Sequence, residues 1–245
     1  MDYQAPENLL ANKVILITGA GDGIGRVAAT TFASHGATVV LLGKTTTKLE
    51  QVYDDIMALG APEPGIAPMD LATATSEDIK QLAEVLDSTY GRLDGLLHNA
   101  AVLGDRIPVE HYDINQWMTV MQVNFNAVFM LTRLMLPLLR QASAASLLFT
   151  SSSVGETPTA YWGPYAVSKY AMEGLAKMLA EELDKTSAVR VNIINPGATR
   201  TRMRAKAYPN ENPANLKPAT SLMPLYLYLM GDDSHAINGE TLTAS

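Results

Sequence analysis

The sequence predicts an α/β fold in which one parallel sheet is wound by helices on both faces. Three observations predict it: short apolar runs alternate with amphipathic stretches along all 245 residues, a glycine-rich turn follows the first apolar run, and no linker or repeat interrupts the alternation. Strand and helix alternating in this way imply right-handed crossovers between parallel strands, hence a single doubly wound domain spanning 1–245.

The strands are read from apolar runs at residues 14–17, 38–42, 93–97, 147–150 and 189–194, each bounded by Gly, Asn, Ser or Pro. Strands buried on both faces carry such continuous runs. The helices are read at 24–34, 48–59, 76–90, 115–140 and 165–183, where apolar residues recur at a spacing of three to four. Two weaker signals, at 65–67 and 240–244, complete an expected seven-stranded sheet.

Composition narrows the function. With 47% hydrophobic and 18% charged residues the chain is globular, and a net charge of -7 argues against nucleic acid as a partner. The absence of Cys excludes disulfides and thiolate chemistry. His35, His98, His111 and His235 have no ligand-like spacing, so no metal is expected. The longest apolar stretch, 120–139, contains Asn124, Asn126, Arg133 and Pro137 and reads as a buried helix, so no membrane association is expected. Residues 1–12 carry Asp2 and Glu7 and no apolar signal core, which predicts a cytoplasmic protein.

Directly after the first strand comes Thr18-Gly19-Ala20-Gly21-Asp22-Gly23-Ile24-Gly25. Glycine lets the backbone turn sharply and approach a diphosphate, which the N-terminus of the following helix stabilises. The second strand ends in Leu42-Gly43-Lys44, with no acid to bind a ribose 2′-hydroxyl. A cation there favours the 2′-phosphate, so NADP(H) is expected over NAD(H). Asp22 is expected to be paired, with Arg26 or Lys44 as candidates, because a free acid would repel that phosphate.

Tyr165 and Lys169 stand four residues apart on a predicted helix, thirteen residues after Ser152. They share a helix face, and a nearby ammonium lowers the pKa of a phenol, so the pair reads as a proton-transfer site. Of the three consecutive serines, strand alternation selects Ser152 as the one on the same side as Tyr165.

In combination these segments resemble the short-chain dehydrogenase/reductase family, over nearly the whole chain, and bacterial oxoacyl-carrier-protein-reductase-like members in particular. The turn at 18–25 is similar to the family's Thr-Gly-x-x-x-Gly-x-Gly, and Asn99-Ala100-Ala101 to its Asn-Asn-Ala-Gly, with His98 and Ala101 as departures. The resemblance implies a Rossmann-type domain and a catalytic set of Asn124, Ser152, Tyr165 and Lys169, with Asn124 holding a water that relays protons from Lys169. It further implies cofactor contacts from Gly19, Asp22, Gly23, Ile24, Gly25 and Lys44, then Asp70, Leu71, Asn99 and Ala100. Tyr165, Lys169, Pro196, Gly197, Thr199 and Thr201 would complete the cofactor site.

The expected activity is NADP(H)-dependent hydride transfer between nicotinamide and a small-molecule carbonyl or secondary alcohol. The alternative is a dinucleotide-sensing regulator of the same fold. A short substrate lid is expected at about 200–218, with Met203, Tyr208 and Leu216 as its apolar members. Its Arg200, Arg202, Arg204 and Lys206 read as a solvated face, and Tyr161 and Trp162 either line the pocket or pack under the lid. Helices apolar on more than one face, with the small residues Ala171, Gly174 and Ala176 on one of them, predict a homodimer or homotetramer.

Overall fold

A computed structural model of the chain describes residues 3–157 and 159–244. The amino-terminal reading therefore rests partly on residues outside the described range, Asp2 among them. Seven strands form one parallel sheet: β1 (Val14–Thr18), β2 (Thr38–Gly43), β3 (Gly65–Pro68), β4 (Gly95–His98), β5 (Ala145–Thr150), β6 (Val189–Asn195) and β7 (Thr241–Thr243). Their order is β3-β2-β1-β4-β5-β6-β7. The direction of winding reverses between β1 and β4, and in open sheets of this kind a crevice opens there at the carboxyl ends of the strands.

The side-chain period of two divides each strand between two cores. Leu16, Leu42, Leu96, Leu147, Phe149 and Val191 face the layer of α3 (Ser76–Tyr90), α5 (Ala127–Leu139) and α7 (Gly163–Asp184). Ile15, Ile17, Val39, Leu41, Leu97 and Leu148 face α1 (Gly23–Ser34), α2 (Thr46–Ala58) and α9 (Met223–Met230). Among the described residues, no helix is long and apolar enough to cross a membrane.

The elements differ from expectation where side chains compete with periodicity. The helix expected over 115–140 is α4 (Ile114–Met121), a π turn over Gln122–Asn126, and then α5. The strand expected at 93–97 is shifted to Gly95–His98, because Leu93 donates its amide to Leu138 O and the Asp94 carboxylate accepts from Val14 N instead of leaving both to the ladder. Helix α7 starts two residues early, with Pro164 in its first turn, where a missing N–H costs nothing. Buried Arg190 has no sequence signal. Its guanidinium donates to the carbonyls of Leu229, Gly231 and Ser234 and so ties β6 to the end of α9.

His98, the departure at the end of β4, lies in the core. Its Nε2 is 2.8 Å from Thr132 Oγ1 on α5, its ring stacks on Phe149 at 5.0 Å, and Nδ1 has no partner. Burial, and secondarily Lys169, pushes its pKa down to about 3. A neutral His in the fold and a protonatable one in the unfolded chain make stability fall with acidification, from the ordinary value of 6.5 down to about 3. The expected slope from this residue is roughly 1.4 kcal/mol per pH unit. Chemical denaturation at a series of pH values should show His98→Asn with a shallower slope in that window than the natural sequence; equal slopes would contradict the assignment.

Candidate active site

The crevice is set by Thr18, the last residue of β1. Its hydroxyl donates to Leu97 O and accepts the main-chain amides of Asn99 and Ala100, both at 3.0 Å. The Asn99 side chain donates back to Thr18 O at 3.2 Å. Thr18 is fully buried, so the ends of β1 and β4 are locked together just where the sheet reverses. Above them lies a cavity of about 460 Å³.

The glycine-rich turn forms one wall. Gly19 has a φ of 69° and sits so close to Ala100 that a Cβ would lie 2.9 Å from its Cα. Gly25 does not line the cavity. A Cβ there would lie 2.2 Å from Gly19 O, so this glycine lets α1 pack onto the turn and acts on a cofactor only through the turn's shape. Asp22 caps α1, accepting from Gly23 N at 2.8 Å. Its charge partners are not the expected ones, since Arg26 is taken by Asp55 at 2.7 Å on the neighbouring helix. Lys48 of α2 pairs with Asp22 at 3.0 Å, and Arg202 reaches it from the far side of the cleft. Lys44 lines the cavity, and among the described residues no carboxylate pairs with it. Gly23, Ile24, Asp70, Leu71, Asn99, Ala100, Pro196, Gly197, Thr199 and Thr201 line the same cavity.

These residues fit a nicotinamide dinucleotide phosphate. Main-chain amides at the start of α1 suit a diphosphate, side-chain-free turns admit its close approach, and Lys44, just past β2, lines the cavity with Lys48 of α2 on the side where a 2′-phosphate would lie.

Ser152, Tyr165 and Lys169 also meet in this cavity. Strand β5 ends at Thr150, so Ser152 is placed by a turn and not by strand alternation; with extended φ and ψ it precedes the short helix α6 (Ser153–Glu156). Ser151 turns the other way, donating to Glu173 Oε1 at 2.5 Å. Buried Tyr165 has its pKa pushed up to about 12 by desolvation, against which a hydrogen bond with Ser152 acts. Burial pushes Lys169 down to about 8, and the Glu173 carboxylate opposes that.

The expected lowering of the Tyr165 pKa by Lys169 is thus not what the geometry gives. The lysine ammonium donates to Thr150 O at 2.6 Å and lies 5.8 Å from the centre of the Tyr165 ring. Helical spacing sets the shared face, but the carbonyl at the end of β5 decides where the ammonium points. Asn124 lies in the π turn below. Its Oδ1 accepts from Val102 N, and its Nδ2 donates to Val102 O and Ser168 Oγ. Both ends of the amide are therefore spent on protein groups, and it does not line the cavity.

The segment after β6 folds over the cleft. Thr201 caps α8 (Arg202–Ala207) by accepting from Arg204 N, and Thr199 pairs with Lys217 across an isolated bridge. Trp162 is buried beneath this segment, its ring 5.7 Å from Tyr165 and 5.9 Å from Tyr208. Tyr161 is exposed, and Leu216 lies off the cavity. Sequence reasoning missed Lys48, Glu173 and Arg106. Only Glu173 left a trace, as the next residue after Tyr165 and Lys169 in a four-residue spacing on one helix face.

Residues 13–212 match the family model for short chain dehydrogenase. The chain belongs to the short-chain dehydrogenase family. It is accordingly an NAD(P)-dependent oxidoreductase. An uncharacterized oxidoreductase of Escherichia coli, YciK, is 52% identical over 244 residues, covering 100% of this chain and 96% of that protein. A short chain dehydrogenase structure from Pseudomonas syringae superimposes with a TM-score of 0.98 at 53% identity, over 100% of this chain and 99% of that one. A third, from Escherichia coli CFT073 and complexed with NADPH, gives 0.95 at 52% identity, over 98% and 99% of the two chains. Within this family the seven-stranded parallel sheet is the expected frame.

Proposed function

We propose that this short-chain dehydrogenase uses NADP(H) to interconvert a carbonyl compound and a secondary alcohol, with Tyr165 as the proton-transfer group. The observation that carries the reading is the meeting of Tyr165, Ser152 and Lys169 in one cavity with the glycine-rich turn. The NADPH complex of the 52% identical Escherichia coli protein supports the same cofactor here, as do Lys44 and Lys48.

The cofactor, when bound, supplies or accepts the hydride. Gly19, Gly23 and Ile24 would cradle the diphosphate with their amides, with Asp22 kept from repelling it by Lys48 and Arg202. Asp70 and Leu71 would border the adenine, Asn99 and Ala100 the ribose, and Pro196, Gly197, Thr199 and Thr201 the nicotinamide.

A phenol whose pKa stands near 12 is a proton donor at neutral pH, so reduction starts with Tyr165 in the right state to protonate a developing alkoxide. Ser152 donates a hydrogen bond to the same oxygen and stabilises its charge. Lys169, held at Thr150 O, would bond the ribose hydroxyls of the nicotinamide half and so fix the cofactor beside Tyr165. Asn124 acts as a positioning residue that pins the π turn to Val102 and Ser168, beside the helix that carries Tyr165 and Lys169. Proton relay through its amide is not part of this reading.

The substrate lid is taken as 200–218. A homodimer through α5 and α7 is supported by exposed Phe129, Val167, Tyr170 and Met178, while Gly174 is open to a neighbour and Ala176 is not, since it faces the chain's own core. A cysteine-free chain suits a reducing compartment, and we propose the cytoplasm.

Tyr165→Phe is expected to cut turnover of a reducible carbonyl by about a thousandfold or more while NADPH affinity, measured by fluorescence, changes by less than about threefold. Unchanged turnover would refute the role. Replacing Lys44 by Ala should weaken NADPH about tenfold and NADH hardly at all; tighter binding of NADH than NADPH by the natural sequence would overturn the cofactor assignment. Light scattering on the eluting protein at micromolar concentration should give at least twice the 26.4 kDa chain mass, and a monomer would end the dimer proposal.

A further inference from the structure

The lid's basic run is sorted by the fold. Arg202 is committed to Asp22, and Arg204 to Glu211 through two bonds of 2.6 and 2.7 Å. Arg200 and Lys206 are left, and among the described residues no carboxylate pairs with either; only Lys206 lines a cavity. It faces a second cavity of about 380 Å³ that adjoins the first through Leu103 and Ala207.

On the opposite wall stands Arg106, a residue outside the lid run. Its guanidinium lies 4.6 Å from the centre of the Trp162 ring and 4.9 Å from that of Tyr208. One N–H of it holds Ala207 O. A guanidinium packed on two aromatic rings is fixed in orientation and keeps its remaining edge donors for an acceptor. Asp105 borders the same space, but its carboxylate already accepts from Gln116 Nε2 at 2.9 Å, and the lining keeps a net positive charge from Arg106 and Lys206. Tyr161 completes the rim with a φ of 71°, a left-handed conformation that a tyrosine adopts only where its surroundings hold it there. The Trp162 ring under Arg106 is also the one beside Tyr165, so one side chain touches both the first cavity and the guanidinium that lines the second.

We infer that the second cavity is an anion subsite, and that the physiological substrate is a carbonyl compound carrying a carboxylate or phosphate beyond the reacting carbonyl. Arg106 is its bidentate donor and Lys206 a second charge. The carbonyl then lies at Tyr165 and Ser152 while the acid passes Leu103 and Ala207 to reach the guanidinium. This inference rests on the catalytic reading above, and adds to it the substrate's charge.

The test compares 4-acetylbenzoate with its methyl ester, which share the ketone and differ in the distal charge. With NADPH, kcat/KM should favour the acid about tenfold or more, and Arg106→Gln should bring the ratio of acid to ester close to one. Arg106→Lys, which keeps the charge, should restore part of the preference. Because Arg106 also holds the lid at Ala207, Lys206→Glu provides a second variant with no lid contact to lose, and it too should lower the ratio. A ratio near one in the natural sequence, or one unmoved by both substitutions, overturns the proposal.

Binding is read separately from turnover through Trp162, one of two tryptophans, after Trp117→Phe removes the other. With NADP bound, 4-acetylbenzoate should quench it saturably, and at least tenfold more weakly once Arg106→Gln is added. Equal quenching in both proteins overturns the subsite. Turnover that survives Tyr165→Phe would instead remove the catalytic reading and leave the quenching result standing.

Discussion

The Thr18 hydroxyl is the interaction on which the site depends. It is fully buried and takes two main-chain amides from the chain leaving β4 while giving its own proton to Leu97 O. Each such bond is worth only about 1 kcal/mol net, yet an unsatisfied buried partner costs more than that, so the set is held together or lost together. By fixing the ends of β1 and β4 side by side, it fixes where the glycine-rich turn and Asn99-Ala100 face each other. The crevice is the space left between them.

Desolvation dominates the chemistry on the other wall. Tyr165 and Lys169 are both buried, and burial disfavours the charged form of each, raising the phenol and lowering the ammonium. Opposing this, Ser152 acts on the tyrosine and Glu173 on the lysine. The result is a neutral proton donor beside a cation that titrates close to working pH. A lysine simply touching its tyrosine would have given a different balance, and it is Thr150 O that prevents the contact.

Charge placement repeats the lesson in the lid. Arg202, Arg204 and Lys206 look alike in sequence, but the fold gives them different neighbours: Asp22 for Arg202, Glu211 for Arg204 and an open cavity for Lys206. Because Asp22 also caps α1 and holds Lys48, the lid, the phosphate end of the cleft and the first helix share one carboxylate. Arg106 joins the lid from a loop 101 residues away, through Ala207 O.

The sequence alone determined the sheet, the glycine-rich turn and the shared helix face of Tyr165 and Lys169, because apolar periodicity, glycine content and four-residue spacing are local properties of a chain. It also determined that Lys44, and not an acid, follows β2. Tertiary structure alone decided what each polar group touches. Asn124 is bonded to Val102 from within the π turn, Ser152 is aimed by the turn after β5, and the ammonium of Lys169 is claimed by Thr150. Those contacts join residues far apart in the chain, and direction, burial and pairing follow from them because electrostatic and hydrogen-bond energies depend on distance in space and not on distance along the sequence.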